Sequence, residues 1–249
     1  MIDHTVIKHM NLPLSSLQKV KPVSVGSQVA SRLREAILQG ELKPGQRIVE
    51  RHLALTMGVS QVTVREALQS LEHEGLVTKK ANTATHVTEL SGDKLRELIE
   101  VRLHLEPLAM CLASKRISPQ QTRELELMAG RLHQAIVAKS LFEITQIDFA
   151  FHRKIWQISG NETLARTLTQ LCTPYFAYIM ILNSIQQSGH REQLKAHEGL
   201  MEYFKRDLKS RVKPHQVLLD ALKEGNATEI EKAVREHVLG SWSFLLNQK

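Results

Sequence analysis

The chain has 249 residues, 42% of them hydrophobic, 24% charged and 4% aromatic, a balance that suits a folded, helix-rich protein and excludes a disordered or fibrous one. A net charge of +7 favours an anionic partner, nucleic acid first. But residues 21–90 carry nine Lys/Arg against seven Asp/Glu and residues 91–249 carry 22 against 18, so charge alone locates no DNA-binding face. Cys111 and Cys172 lie in apolar helical contexts without CxxC spacing, which argues against a disulfide framework or a cysteine zinc site and for free thiols in a reducing compartment. With no signal-like N-terminus and no apolar run longer than Tyr175 to Leu182, the expected location is cytoplasmic, without membrane contact.

Residues 1–22, broken by Pro13 and Pro22, read as an arm. From Ser24 a helix is expected with Val29, Leu33, Ile37 and Leu38 on its core face and Gly40 as its stop, followed by a turn at Leu42-Lys43-Pro44-Gly45. Helices at about 49–56 and 60–74 flank Met57-Gly58-Val59, and Ser60 can cap the second. Leu53, Val59, Val64, Leu68 and Leu71 would lock them as a helix-turn-helix. Leu76 to Lys79 and Thr85 to Thr88 are rich in β-branched residues and predict a two-stranded hairpin, the wing. After the polar break Glu89 to Asp93, helical periodicity runs to the C-terminus. The expected fold is mainly α: a winged helix-turn-helix at 23–89 with a small β-hairpin, then an all-α helical bundle at 90–249.

Within the bundle, Ile144, Ile147, Phe151, Ile155 and Ile158 recur at three- and four-residue steps and define one apolar helix face. Asp148 and His152 lie at its edge on successive turns. Alone, this pair is better explained by a simple hydrogen bond between the two. His215 and His237, however, also fall in or beside apolar stripes of two further helices, and each buried imidazole would need its own partner. One divalent cation serves all four. Three imidazoles and a carboxylate suit Zn²⁺ or Ni²⁺ best, with Mn²⁺ and Fe²⁺ also compatible.

Two stretches carry a family resemblance. Gly40-x-Leu42-x-Pro44-Gly45, Glu50-Arg51-x-Leu53-Ala54, Gly58-Val59-Ser60-x-x-Thr63-Val64-Arg65-Glu66-Ala67-Leu68 and Gly75-Leu76-Val77 closely resemble the N-terminal domain of GntR-family transcription regulators. The resemblance implies DNA contacts at Arg51, Ser60, Gln61, Thr63 and Arg65. Arg suits guanine edges, and Ser or Thr at a helix N-terminus suits phosphate. The bland alternative pairs Arg51 or Arg65 with Glu50, Glu66 or Glu72. Many relatives have Arg where this chain has Gln61, and a glycine-rich wing tip where it has Ala81-Asn82-Thr83. Gln favours adenine over guanine.

Residues 91–247 resemble the effector domain of the FadR-type branch, in particular its metal-containing members, through Arg102-x-x-x-Glu106-Pro107, Asp148-x-x-Phe151-His152 with Ser159-Gly160-Asn161, His215-x-x-Leu218-Leu219 and Ala233-x-x-x-His237. That resemblance implies a metal held by Asp148, His152, His215 and His237, with a small organic acid at its open positions. Gln186 to Pro214 departs from the pattern in length and basic character, and His197 within it competes as a ligand with poorer flanking residues. Arg102 shares the buried face of its helix and has two readings: an ion pair with Glu106 one turn on, or an effector-binding clamp for a carboxylate.

The expected function is therefore a homodimeric transcription regulator on a palindromic double-stranded operator, controlled by a small organic-acid effector at a metal site. The alternative is a metal-dependent hydrolase or lyase acting on a small carboxylate, weakened by the lack of HExxH or a comparable positioned base. A metal sensor or store would use the same four residues.

Overall fold

The computed structural model describes residues 24–79, 84–138, 140–187 and 212–240. The expected N-terminal arm, the wing-tip residues Ala81-Asn82-Thr83, His197 and most of the basic stretch before Pro214 lie outside the described residues.

Helix α1 (Val25–Leu38) starts where the Ser24 hydroxyl accepts from Ser27 N–H, and it buries Val29, Ala30, Leu33 and Ile37. Helix α2 (Glu50–Met57) ends at Gly58, whose φ of 64° permits the tight turn into α3 (Gln61–His73). The Arg34 guanidinium clasps the Glu74 carboxylate with two hydrogen bonds of 2.7 Å, tying α1 to the end of α3. The sheet holds three strands, not the expected two: β1 (Arg47–Ile48), β2 (Val77–Lys79) and β3 (Thr85–Val87), ordered β1-β3-β2 and antiparallel. Val77 faces Val87 and Ile48 faces Thr85. The extra strand has only two residues, too few for alternation to show in a sequence. It is held in place by Gly45 N–H to Val87 O and Val87 N–H to Gln46 O, at 3.0 and 2.9 Å.

Beyond the sheet come α4 (Gly92–Ser114), α5 (Pro119–Val137), α6 (Leu141–Ile158), α7 (Glu162–Gln187), α8 (Val212–Glu224) and α9 (Ala227–Gly240). Local signals set the starts: Ser91 caps α4, and Ser118 with Gln121 forms a capping box ahead of Pro119. Helices α6 and α7 run antiparallel across the short Ser159-Gly160-Asn161 turn, where Asn161 Oδ1 accepts from Leu164 N–H at 3.0 Å. One apolar cluster extends from Val29 in α1 to Val238 in α9, so the winged helix and the bundle share a core. At their junction Gly75, with φ of 74°, lies against Thr173 of α7 so closely that a Cβ would sit 2.8 Å from the Thr173 carbonyl. No described helix is long and apolar enough to cross a membrane.

Candidate metal centre and DNA-facing surface

Helix α6 buries Ile144, Phe151, Ile155 and Ile158, and the same packing carries Asp148 and His152 to the middle of the bundle. His215 arrives from the first turn of α8 and His237 from α9. The ligand atoms of the four residues lie within 4.8 Å of one another. His152 Nε2 is 2.9 Å from His237 Nε2 and 3.4 Å from Asp148 Oδ1, and Asp148 Oδ1 is 2.7 Å from His215 Nε2. A tetrahedral zinc site with arms of about 2.0–2.1 Å has ligand-to-ligand edges of about 3.4 Å, so the donors already stand near the spacing a divalent cation requires. The chemistry of the set, three imidazoles and one carboxylate, fits as well. The histidines are buried while the Asp148 side chain is 29% exposed, so the cluster opens on its carboxylate side. Phe151 packs edge-on against His215, and Trp156 and Phe176 flank His152, with ring centroids at 5.2, 6.1 and 6.3 Å.

Charge is concentrated around His152. Its Nδ1 lies 3.3 Å from Glu106 Oε2, and Glu106 Oε1 accepts from Arg102 Nε at 2.5 Å. Burial works against the charged imidazole, but its bonds to Asp148 and Glu106 push its pKa up to about 9. Burial likewise opposes the Glu106 carboxylate, yet Arg102 first and His152 second bring it down to about 2. Asp148 is held well below the usual carboxylate range, because His215 and His152 outweigh its desolvation. His237 is held well below the usual imidazole range by burial and by the two neighbouring histidines.

Arg102 is thus seen in the first of its two readings, as the partner of Glu106, with its guanidinium over Tyr175 and Phe176 at 5.3 and 5.9 Å from the ring centres. One turn before Asp148, Thr145 Oγ1 accepts from Asn183 Nδ2 at 3.1 Å. The Asn183 Oδ1 is buried and has no hydrogen-bond partner among the described residues. On the far side of Phe149, which stacks on Phe176 at 4.8 Å, a groove of about 490 Å³ runs between the end of α3 (His73, with Glu74) and helices α6 and α7 (Phe149, Arg153, Thr173, Met180).

The opposite end of α3 faces solvent. The Ser60 hydroxyl accepts from Thr63 N–H at 3.1 Å and stands 2.8 Å from the Thr63 hydroxyl, while Arg51, Gln61 and Arg65 are exposed. Arg65 pairs with Glu50 at 3.0 Å, as the bland reading had it, but the pair is in water and such pairs are weak. Arg65 therefore gives up little to meet a phosphate or a base.

Residues 26–87 match the family described as bacterial regulatory proteins, gntR family, and residues 97–240, more than half of the chain, match the FCD domain. The chain belongs to the GntR family. It is a GntR transcription regulator with a DNA-binding helix-turn-helix followed by an FCD domain. It is similar to the HTH-type transcriptional regulator McbR of Escherichia coli (strain K12), 31% identical over 153 residues, which cover 61% of this chain and 69% of that protein. The uncharacterized HTH-type transcriptional regulator YdhC of Bacillus subtilis (strain 168) is 28% identical over 196 residues, 78% of this chain and 87% of its own. The solved structure of Escherichia coli McbR/YncC shares the fold, with a TM-score of 0.64 at 24% identity over 91% of this chain and 99% of that one.

Of the residues singled out in the sequence, this GntR chain brings Asp148, His152, His215 and His237 together, sets Ser60, Gln61, Thr63 and Arg65 along the first turns of α3, and leaves Arg51 exposed in the first turn of α2. Sequence reasoning missed the reach of Glu106 to His152 and the buried amide of Asn183. Glu106 was visible only as a partner for Arg102. Asn183 follows directly on the apolar run Tyr175 to Leu182 of α7, and a polar residue in that place is the sequence signal for it.

Proposed function

We propose that this regulator binds its operator as a homodimer and that a small organic acid, held at a metal site formed by Asp148, His152, His215 and His237, controls operator affinity. The convergence of those four ligands from three helices carries the reading. A divalent cation there, Zn²⁺ or Ni²⁺ by donor chemistry, would offer its remaining coordination positions to a carboxylate. The chain's own residues complete the pocket. The opening beside Asp148 admits the acid, and Asn183 on α7, bonded to Thr145 one turn before Asp148, supports an acid that also bears a hydroxyl for its spare amide oxygen. Arg102 clamps the acid only if it shares its guanidinium with Glu106.

At the other end of the molecule, residues 23–89 form the DNA-reading unit. Ser60 and Thr63 at the N-terminus of α3 suit phosphate, and the exposed Gln61 and Arg51, with Arg65 once it parts from Glu50, approach base edges or backbone. For dimerisation, α4 offers Val101 and Leu108, 41% and 49% exposed, in line with the half-buried Leu105 and Leu112.

The test joins elemental analysis of purified protein to thermal unfolding with paired acids, hydroxylated and not, in the presence of metal. The expected result is metal near one ion per chain and a midpoint that climbs with acid concentration. Both responses should vanish in His152→Ala while operator DNA is still bound. A metal-loaded protein indifferent to every acid would sink the effector reading.

A further inference from the structure

We propose that Glu106 is a positioning residue for the metal centre: it fixes the His152 imidazole from behind and so ties helix α4, which supplies no ligand, to the ion. The inference rests on the metal reading above. His152 has two ring nitrogens, and they face different neighbours. Nε2 lies among Asp148 Oδ1 and His237 Nε2, whereas Nδ1 lies 3.3 Å from Glu106 Oε2. An ionised carboxylate only accepts hydrogen bonds, so the nitrogen facing it must carry the proton. With one proton on the ring that leaves Nε2 with its lone pair directed at the cluster, the form a metal ligand needs. A carboxylate behind the ring also makes Nε2 the better donor.

A buried carboxylate in this place is costly unless its charge is met. Arg102 meets it at 2.5 Å, and the guanidinium is in turn seated on the faces of Tyr175 and Phe176 in α7. The order of contacts is then α7 rings, Arg102, Glu106, His152, ion. Arg102 thus supports the centre through Glu106, whether or not it also touches an effector. The two residues are one turn apart on α4, so the helix that begins directly after the sheet is wired to the ligand on α6.

Removing Glu106 alone would strand a buried Arg102, so the test uses charge-neutral pairs: Arg102→Met with Glu106→Leu, and Arg102→Met with Glu106→Gln. Each is first shown to be folded by its thermal midpoint in chelator. Zinc affinity by competition with a chromophoric chelator, and the visible spectrum of the Co²⁺ form, are then read without any acid. The Leu pair should lose about 10- to 100-fold in affinity with a changed Co²⁺ spectrum, and the Gln pair, which keeps an oxygen facing Nδ1, should recover most of it. A Leu pair that binds zinc as tightly as the parent chain, or a loss shared equally by both pairs, overturns the positioning role. A folded parent chain that binds neither Zn²⁺ nor Co²⁺ instead removes the metal reading itself.

Discussion

His152 has a carboxylate at each edge of its ring, Glu106 at Nδ1 and Asp148 near Nε2. Burial alone would favour the neutral imidazole, yet these two bonds raise its pKa to about 9. A folded-state pKa above the ordinary value near 6.5 means that the folded chain holds the proton more tightly than the unfolded one. The stability from this group is therefore complete below about pH 6.5 and is lost as pH rises through about 9. An ion bound at the proposed site would take the place of that proton. Chelator-treated protein should show a falling unfolding midpoint across this window, whereas zinc-loaded protein should hold its midpoint or gain, since metal no longer competes with the proton. Parallel curves for the two forms would contradict the arrangement. At this scale the sequence was informative where spacing carries meaning: a four-residue step puts Asp148 and His152 on one face. It was silent on Glu106 and His152, because a contact between two helices leaves no spacing to read.

Helix α6 serves two sides at once, since Asp148 belongs to the proposed metal site and its neighbour Phe149 lines the groove that faces the end of α3. The companion helix α7 bears directly on the winged helix where Gly75 meets Thr173. That contact requires glycine twice over, for its positive φ and for the missing Cβ. Gly75→Ala should destabilise the chain by about 1–3 kcal/mol from the backbone alone, and the enforced separation should weaken operator binding although no DNA-facing residue has changed. Denaturant unfolding and operator titration of this variant measure both effects. A variant as stable as the parent would mean that the winged helix does not press on α7. Most elements were legible because caps and 3.6-residue periodicity announce them, as at Ser60, Ser91 and Ser118. Strand β1 was not, because it exists only through its pairing with β3.

For the whole molecule, the proposed palindromic operator would need a second copy of the chain to supply its second recognition surface. The exposed Val101 and Leu108 on α4 are the apolar surface proposed to meet it. Leu108→Glu should shift the protein towards monomer in light scattering, and operator affinity should fall with it, while the metal content stays at the parent value because no ligand is touched. Unchanged mass would remove α4 as the interface. The division of labour between the two ends of the chain could be read in the sequence from the helix-turn-helix motifs and the long helical remainder. Their shared core could not, since side chains as distant in sequence as Leu76 and Tyr178 join one apolar cluster only once the chain has folded.

The seat of Gly75 on Thr173 also sets a lever. Helix α3 has 13 residues and is therefore about 20 Å long, with its trailing end resting on α7 and its leading end presenting Ser60, Gln61 and Thr63. A tilt of about 5° at the seat moves the leading end by roughly 1.7 Å, half of the 3.4 Å step between bases along one strand. A displacement of that size is enough to undo a bidentate side-chain contact to a base. Small changes of helix angle within the bundle can thus become all-or-none differences in reading DNA.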